Sequence, residues 1–396
     1  CYSVRVLSIR RLTAQGWLVV ALLVGIAAVR VFALVHGVRV EANQYDINRF
    51  YAIAHSAGTP YRDYPVEYPP LTVLLLKAVA AVLHSRGRFG DGILLLSLGS
   101  EIAIGAVLWR TWGLRAALAF LLIDSVLIAL LVTRLDLVST ALTVAAVAAA
   151  LRRRPVLAAI LIAIGCGVKL WPLPVALVLL MVLKDRERLR NGVTLAACTA
   201  AGVAGWLLVG GTAAIQQVLS FRGATGWQVE SVLGSFIHLV TREVPFSVAG
   251  ANRFGTVPAA IPAILFGVAA VVTLWVLYRS TRDDIGPAWI ASVGAFLACA
   301  TLLSPQFVVW LFPAAAICWV TGHRALTIAV ALVALLTLAE TEYLTYPVLL
   351  SVSTKGLLLV ALRNAVLVAT VILALYRLAR RRPAPDAVSA RAQLAA

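Results

Sequence analysis

Charge is scarce in this chain. Only 13% of its 396 residues are Asp, Glu, Lys or Arg, 62% are hydrophobic, and the mean hydropathy is +0.95. An ordinary soluble domain carries roughly 25% charged residues, so a water-soluble fold is excluded. Acids are scarcer still, 17 against 34 Lys and Arg. Cysteine is represented by Cys1 at the terminus and by Cys166, Cys198, Cys299 and Cys318 inside apolar runs, which is neither a disulfide framework nor a metal-ligand spacing. His36, His55, His84, His238 and His323 are equally dispersed and none reads as a metal ligand.

What the chain has in abundance is long apolar runs. A helix needs about 20 apolar residues to cross the hydrocarbon of a bilayer, and such runs recur along the whole length. The formal charge of +17 would suit nucleic acid, but the basic residues form short clusters between apolar runs, and this is the pattern of orientation signals. The first run, Gly16 to Val35, follows Arg5, Arg10 and Arg11; it is too long for a signal-peptide core and lacks a small-residue cleavage site, so it reads as an uncleaved span.

Twelve spans are expected, at 16–35, 91–109, 116–133, 137–151, 155–169, 172–183, 193–210, 256–278, 286–303, 306–321, 325–343 and 356–376. Pro69 to Leu83 is taken as a non-spanning helix on the outer surface. With that choice both termini lie inside, and more than half of the Lys and Arg, including Arg110, Arg152 to Arg154, Arg188 and Arg380 to Arg382, fall on the cytoplasmic side. Arg86 and Arg88 are the main exceptions. The expected architecture is an all-α polytopic membrane protein with a single catalytic domain over 1–380 and a disordered cytoplasmic tail over 381–396. Two long outer loops are expected at 37–90 and 211–255, lengths that commonly carry function. Several middle spans are short for about 30 Å of hydrocarbon, so broken helices are expected there.

The polar residues of this threading gather on the outer side. The first outer loop holds Glu41, Asp46, Asp63 and Glu67, followed by Tyr68 and the helix-starting Pro69-Pro70. Other outer turns carry Arg134 and Asp136, Lys169-Leu170-Trp171-Pro172, Gln228 and Glu230, Ser304-Pro305-Gln306, Thr345-Tyr346-Pro347, and Arg363-Asn364 within the last span. Charges at membrane depth cost about 2.5–3.5 kcal/mol each on insertion scales and are usually functional or paired. Arg134 pairing with Asp136, Lys169 reaching to the surface, and solvated loop acids are the plainer readings. Glu101 and Asp124, near mid-membrane, read as an inter-helix structural pair.

A carboxylate beside several cations at the edge of the acyl region suits transfer from a lipid-phosphate sugar to a hydroxyl. The cations neutralise the departing phosphate and the carboxylate accepts the hydroxyl proton. One base and a good leaving group imply inversion at the sugar carbon, whereas a retaining site would want two close carboxylates.

Asp46 with Tyr51 and Ala54, Gly58-Thr59-Pro60-Tyr61, Asp63, Glu67-Tyr68-Pro69-Pro70-Leu71, Asp136-Leu137, Lys169-Leu170-Trp171-Pro172, Gln228-Val229-Glu230-Ser231, Gly234-Ser235, Ser304-Pro305-Gln306 and Leu362-Arg363-Asn364 follow one another in order. In this the chain resembles glycosyltransferase family 87 of the GT-C superfamily, over roughly residues 40 to 370. The resemblance implies a GT-C fold with juxtamembrane helices in a periplasmic first loop, and a polyprenyl-phosphate-mannose-dependent α-mannosyltransferase of actinobacterial type. It implies a glycolipid or glycan acceptor. No acid cluster has a clear metal-ligand spacing, so no metal is expected and no cofactor beyond the donor substrate, and the charge threading expects a plasma-membrane site facing the periplasm or cell exterior. Asp46 is then the catalytic base, and Lys169, Arg363 and Arg134 bind the donor phosphate. Asp63, Glu67, Tyr68, Asp136, Gln228, Glu230 and Gln306 position the sugar or the acceptor. One departure is visible: the branch associated with phosphatidylinositol mannosides tends to carry histidines after the Ser-Pro pair, where this chain has Gln306-Phe307-Val308.

Two other classes fit the composition. A lipid-linked-sugar flippase or other secondary transporter would place polar residues through both leaflets and often shows internal repeats, which this chain lacks. A scaffold would make the outer polar turns incidental.

Overall fold

A computed structural model describes residues 14–36, 41–220, 225–248, 250–343 and 352–380. The N-terminal arginines, Thr345-Tyr346-Pro347 and the tail over 381–396 lie outside the described residues.

The described chain is helical apart from one small sheet. Its helices are α1 (Ala14–His36), α2 (Glu41–His55), α3 (Pro70–Val82), α4 (Arg86–Trp112), α5 (Leu114–Ser125), α6 (Ile128–Leu131), α7 (Asp136–Leu151) and α8 (Pro155–Val168). They continue as α9 (Leu173–Val182), α10 (Asp185–Leu219), α11 (Val232–Thr241), α12 (Ala260–Arg279), α13 (Ile285–Cys299), α14 (Phe312–Val320), α15 (Arg324–Leu338) and α16 (Thr354–Arg380). Five stretches are long and apolar enough to cross a membrane by length and composition: Arg86–Trp112, Asp185–Leu219, Ala260–Arg279, Arg324–Thr341 and Thr354–Arg380. In α10 only 6% of the most apolar 18-residue stretch is buried inside the protein, a surface that suits hydrocarbon and not water.

Helical structure occupies each of the twelve expected spans, but several pieces fall short of a crossing length: α7, α8 and α9 have 16, 14 and 10 residues. The expected span 116–133 is broken into α5 and α6. These interruptions have a common physical setting. Non-helical backbone at membrane depth is tolerated where it is buried in protein or lines a cavity. Here carbonyls at the breaks find hydroxyl donors, Ser97 to Arg134 O at 2.7 Å and Thr72 to Val168 O at 2.6 Å, and Ser139 adds a second bond, at 3.1 Å, to the Gly165 O that already accepts from Lys169 N. Proline marks the restarts, with Pro155 opening α8 and Pro172 preceding α9.

Both ends of α3 stay on one side of the bundle. Thr72 near its start bonds the end of α8, and the Tyr51 hydroxyl of α2 donates to His84 O just beyond its end, at 3.2 Å. Arg86, an exception to the charge pattern, bonds Asn48 and Gln44 of α2. At the opposite end of the bundle the arginine clusters meet helix C-termini, where cations satisfy unpaired carbonyls. Arg152 reaches Thr111 at 3.1 Å, Arg282 reaches Leu151 O, and Arg279 reaches Ala379 O at 2.8 Å.

The main core packs α5, α7, α9 and α13 to α16 around Trp171, Trp289 and Phe312. A second core under α2 and α3 joins Phe50, Ile53, Leu76, Phe89 and Trp206. Glu101 and Asp124 do belong to an inter-helix ion cluster, but its centre is Arg30 of α1, 2.8 Å from Glu101 through Nε and 3.6 Å from Asp124.

The described residues of the segment 211–255 are not an open loop. α10 continues to Leu219 past Gly211, whose φ of 64° breaks the helical path, and α11 follows. Ahead of α11 lies β1 (Trp227–Gln228) and beyond it β2 (Phe246–Val248) and β3 (Ala251–Phe254); the three form an antiparallel sheet in the order β1-β3-β2, pairing Gln228 with Arg253.

Candidate functional site

A cavity of about 1360 Å³ opens among α2, α3, α8, α9, α10, α12 and the sheet. One part of its wall is apolar, drawn from Ile164, Leu177, Val203, Phe266 and their neighbours. The other carries Tyr45, Asp46, Arg49, Glu67, Tyr68, Arg134, Lys169, Gln228 and Gln306.

The polar part is built from helix ends and breaks. α2 supplies Asp46. The gap between α6 and α7 supplies Arg134, and the extended residue that closes α8 is Lys169, φ −147° and ψ 140°. Asp136 is the first residue of α7, where the helix dipole favours a carboxylate. Three acid–base pairs result. Asp46 pairs with Arg134, Asp136 with Lys169 at 2.7 Å, and Glu67 with Arg49 through two parallel bonds of 3.0 and 2.7 Å. Asp136 is 1% exposed and also accepts from the Trp310 indole at 2.9 Å, so it sits beneath Lys169 and not on the cavity wall. Trp310 stacks between Phe307 and Trp171, with centroids 4.4 and 5.0 Å away, and Lys169 Nζ lies 5.1 Å from the Phe307 ring centroid. An ammonium among aromatic faces and one carboxylate is partly dry, which strengthens its attraction for an anion.

Burial raises the pKa of the Asp46 carboxyl above its ordinary 3.8, while Arg134 and then Lys169 pull it back and Asp136 and Glu67 add to the rise. Burial likewise pushes the Tyr68 phenol well above 10, so it stands protonated as a hydrogen-bond donor.

Of the residues expected from the sequence, Asp46, Glu67, Tyr68, Arg134, Lys169, Gln228 and Gln306 share this cavity, with Asp136 directly behind it. Three others are elsewhere. Asp63, expected to position substrate, is exposed and closes its own turn by accepting from Thr59 N at 2.6 Å. Glu230, expected to touch donor or acceptor, is 2% exposed; its carboxylate accepts from Gln228 and its carbonyl from Arg363 and Asn364, both at 3.1 Å. Arg363, expected on the donor phosphate, is fully buried against Glu340, Nε to Oε2 at 3.1 Å, and does not reach the cavity. The reason is that α16 faces α15 and α11 at this level. Arg363 and Asn364 therefore fix the Glu230–Ser231 backbone and, through it, Gln228, whose amide oxygen accepts from Leu303 N.

Removing one partner of a buried pair costs about 3–5 kcal/mol, while replacing both can be neutral. Arg363→Met is accordingly expected to lower thermal stability in detergent by about that much. Arg363→Met combined with Glu340→Leu should recover most of the loss; a single variant that melts like the parent would contradict the buried pair.

Arg49, Trp310, Glu340 and Arg30 were not anticipated. Arg49 had a readable signal, since it stands three residues after Asp46 on the same helix face. The others are recognised only by partners distant in sequence.

Comparison with known proteins agrees with this geometry at the level of family. No curated protein matches the chain. The sequence pattern of glycosyltransferase family 87 matches residues 67–305, a range that holds Glu67, Arg134, Asp136, Lys169, Gln228 and the wall helices α8 to α10 and α12. Gln306 lies one residue beyond the match, and Asp46 lies well before its start at residue 67. Because that match spans well over half of its length, the chain belongs to glycosyltransferase family 87.

Proposed function

We propose that the protein is an inverting glycosyltransferase that moves a hexose, mannose on the family resemblance, from a polyprenyl phosphate to a glycolipid or glycan acceptor. The observation that carries this reading is one cavity with two characters: a carboxylate beside a guanidinium and an ammonium, continuous with an apolar wall facing the bilayer helices. The apolar part suits an isoprenoid chain, and the cations suit the phosphate to which it is joined.

In the proposed step the acceptor hydroxyl gives its proton to Asp46. Its oxygen attacks the anomeric carbon from the face opposite the phosphate, and the carbon–oxygen bond to phosphate breaks with its electron pair. The leaving group changes from a phosphodiester with one negative charge to a monoester with two. Lys169 and Arg134 thus act most strongly on charge that develops during the reaction, the condition for lowering the barrier. Before donor binds, each cation is held by its own acid. A phosphate entering between them draws Arg134 toward itself, and Asp46 is released to act as base. Tyr68 and Gln306 then contact the sugar, and Asp136 keeps the Lys169 ammonium aimed. No resident cofactor or metal enters the proposed step.

The excess of Lys and Arg at the end of the bundle remote from the cavity supports an exoplasmic orientation for the cavity mouth, in the plasma membrane. The test is incubation of the protein in proteoliposomes with radiolabelled polyprenyl-phosphate-mannose and a membrane lipid extract. A new labelled glycosidic product, with release of polyprenyl phosphate, is expected. Label that crosses the bilayer without forming any new glycosidic bond would replace this reading with that of a flippase.

A further inference from the structure

We infer that the cavity wall formed by Tyr45, Arg49 and Asn252 is the acceptor subsite, and that it takes a polyhydroxylated, sugar-bearing molecule; this rests on the transfer reading above. On α2, Tyr45, Asp46 and Arg49 all line the cavity. The turn between β2 and β3 brings Ser247, Gly250 and Asn252 to the same wall. Contact between hairpin and helix is close: Gly250 has φ +79°, and a Cβ there would come within 2.6 Å of the Tyr45 hydroxyl. Glycine is required on both counts, conformation and space.

The polar groups of this wall are fixed but not fully used. The Arg49 fork is pinned by Glu67 and by Pro65 O at 2.8 Å, leaving Nη1 without a protein hydrogen bond among the described residues. The Asn252 backbone is locked by Val229 N donating to its carbonyl at 3.1 Å, while its side-chain amide, half-buried on the cavity wall, has no protein hydrogen bond among the described residues. A phenol, an amide and a guanidinium already neutralised by a carboxylate offer directional donors and acceptors with no net charge. That chemistry favours vicinal hydroxyls over a second phosphate.

The position of the base agrees. The phosphate cations come from the α6–α7 and α8–α9 breaks, and Asp46, paired with Arg134, shares its own helix with Tyr45 and Arg49. An acceptor held by α2 and the hairpin therefore brings its hydroxyl to the helix that carries the base.

The full chain in lipid nanodiscs, without donor, can be titrated with two probes: soluble methyl hexosides, followed by saturation-transfer NMR, and citronellyl phosphate. Asn252→Ala and Tyr45→Phe are each expected to weaken hexoside binding by roughly three- to tenfold, the size of one lost hydrogen bond, and to leave citronellyl phosphate binding unchanged. Gly250→Ala, which pushes the hairpin off Tyr45, should do the same. Arg134→Gln should weaken the phosphate probe alone. A wild-type protein that binds no hexoside, an Asn252→Ala variant with full hexoside affinity, or equal loss of both probes would overturn the subsite. Indifference of the phosphate probe to Arg134→Gln would instead count against the donor reading, with the hexoside arm still deciding the acceptor wall.

Discussion

Asp46→Asn is expected to lower kcat for transfer by about 10²- to 10⁴-fold, the usual contribution of a positioned general base, with little change in donor KM. The amide keeps the shape of the carboxylate and can still face Arg134, so folding should survive. The pH dependence separates this role from a structural one. A base works deprotonated, so the rate falls as pH drops through its pKa. Burial places that pKa above the ordinary 3.8 of aspartate, so the acidic limb of the kcat/KM profile should lie at higher pH than an exposed carboxylate would give. Arg134 opposes the rise. In Arg134→Gln, whatever the loss in absolute rate, the acidic limb should move further toward neutral pH. A full-rate Asp46→Asn enzyme would remove Asp46 as the base, and a limb that stays in place in Arg134→Gln would show that the two groups are uncoupled in the free enzyme, against the pairing seen here.

The places where the sequence was readable share a physical basis. Proline and charge mark helix ends strongly, so the breaks holding Arg134 and Lys169 could be anticipated from Thr133-Arg134-Leu135-Asp136 and Lys169-Leu170-Trp171-Pro172. The side of the bundle on which the polar residues gather followed from the spacing of arginine clusters, and Asp46, Glu67, Arg134 and Lys169 do meet in one cavity. Partners were less readable. Arg134 and Asp136 stand two apart, a spacing that points side chains away from each other on a helix, and each pairs with a residue from another element. Arg363 shows the same limit in reverse. A lone arginine in an apolar run announces that it has a partner, but not whether the partner is a substrate or Glu340 of the neighbouring helix. The sheet escaped notice because strands of two to four residues are too short to show alternation.

The pair Lys169–Asp136 offers the second large effect, and it can be divided into structural and chemical parts. Lys169→Met leaves the Asp136 carboxylate 1% exposed with, among the described residues, only the Trp310 indole as partner, so destabilisation of about 3–5 kcal/mol is expected together with loss of transfer. Asp136→Asn in the same chain removes the stranded charge while keeping an acceptor for Trp310. The double variant should therefore regain most of the thermal stability. Activity should not return, because the ammonium that faces the departing phosphate is still missing; the remaining deficit should be at least 10²-fold, the scale of one lost transition-state donor. Asp136→Asn alone separates the roles from the other side. Lys169 keeps its charge and its place between Phe307 and Tyr68, 5.1 and 6.0 Å from their centroids, so phosphate binding should persist while kcat falls as the ammonium loses its aim. Recovery of both stability and turnover in the double variant would mean that Lys169 serves only to neutralise Asp136, and the donor phosphate would then have to be held by Arg134 without it.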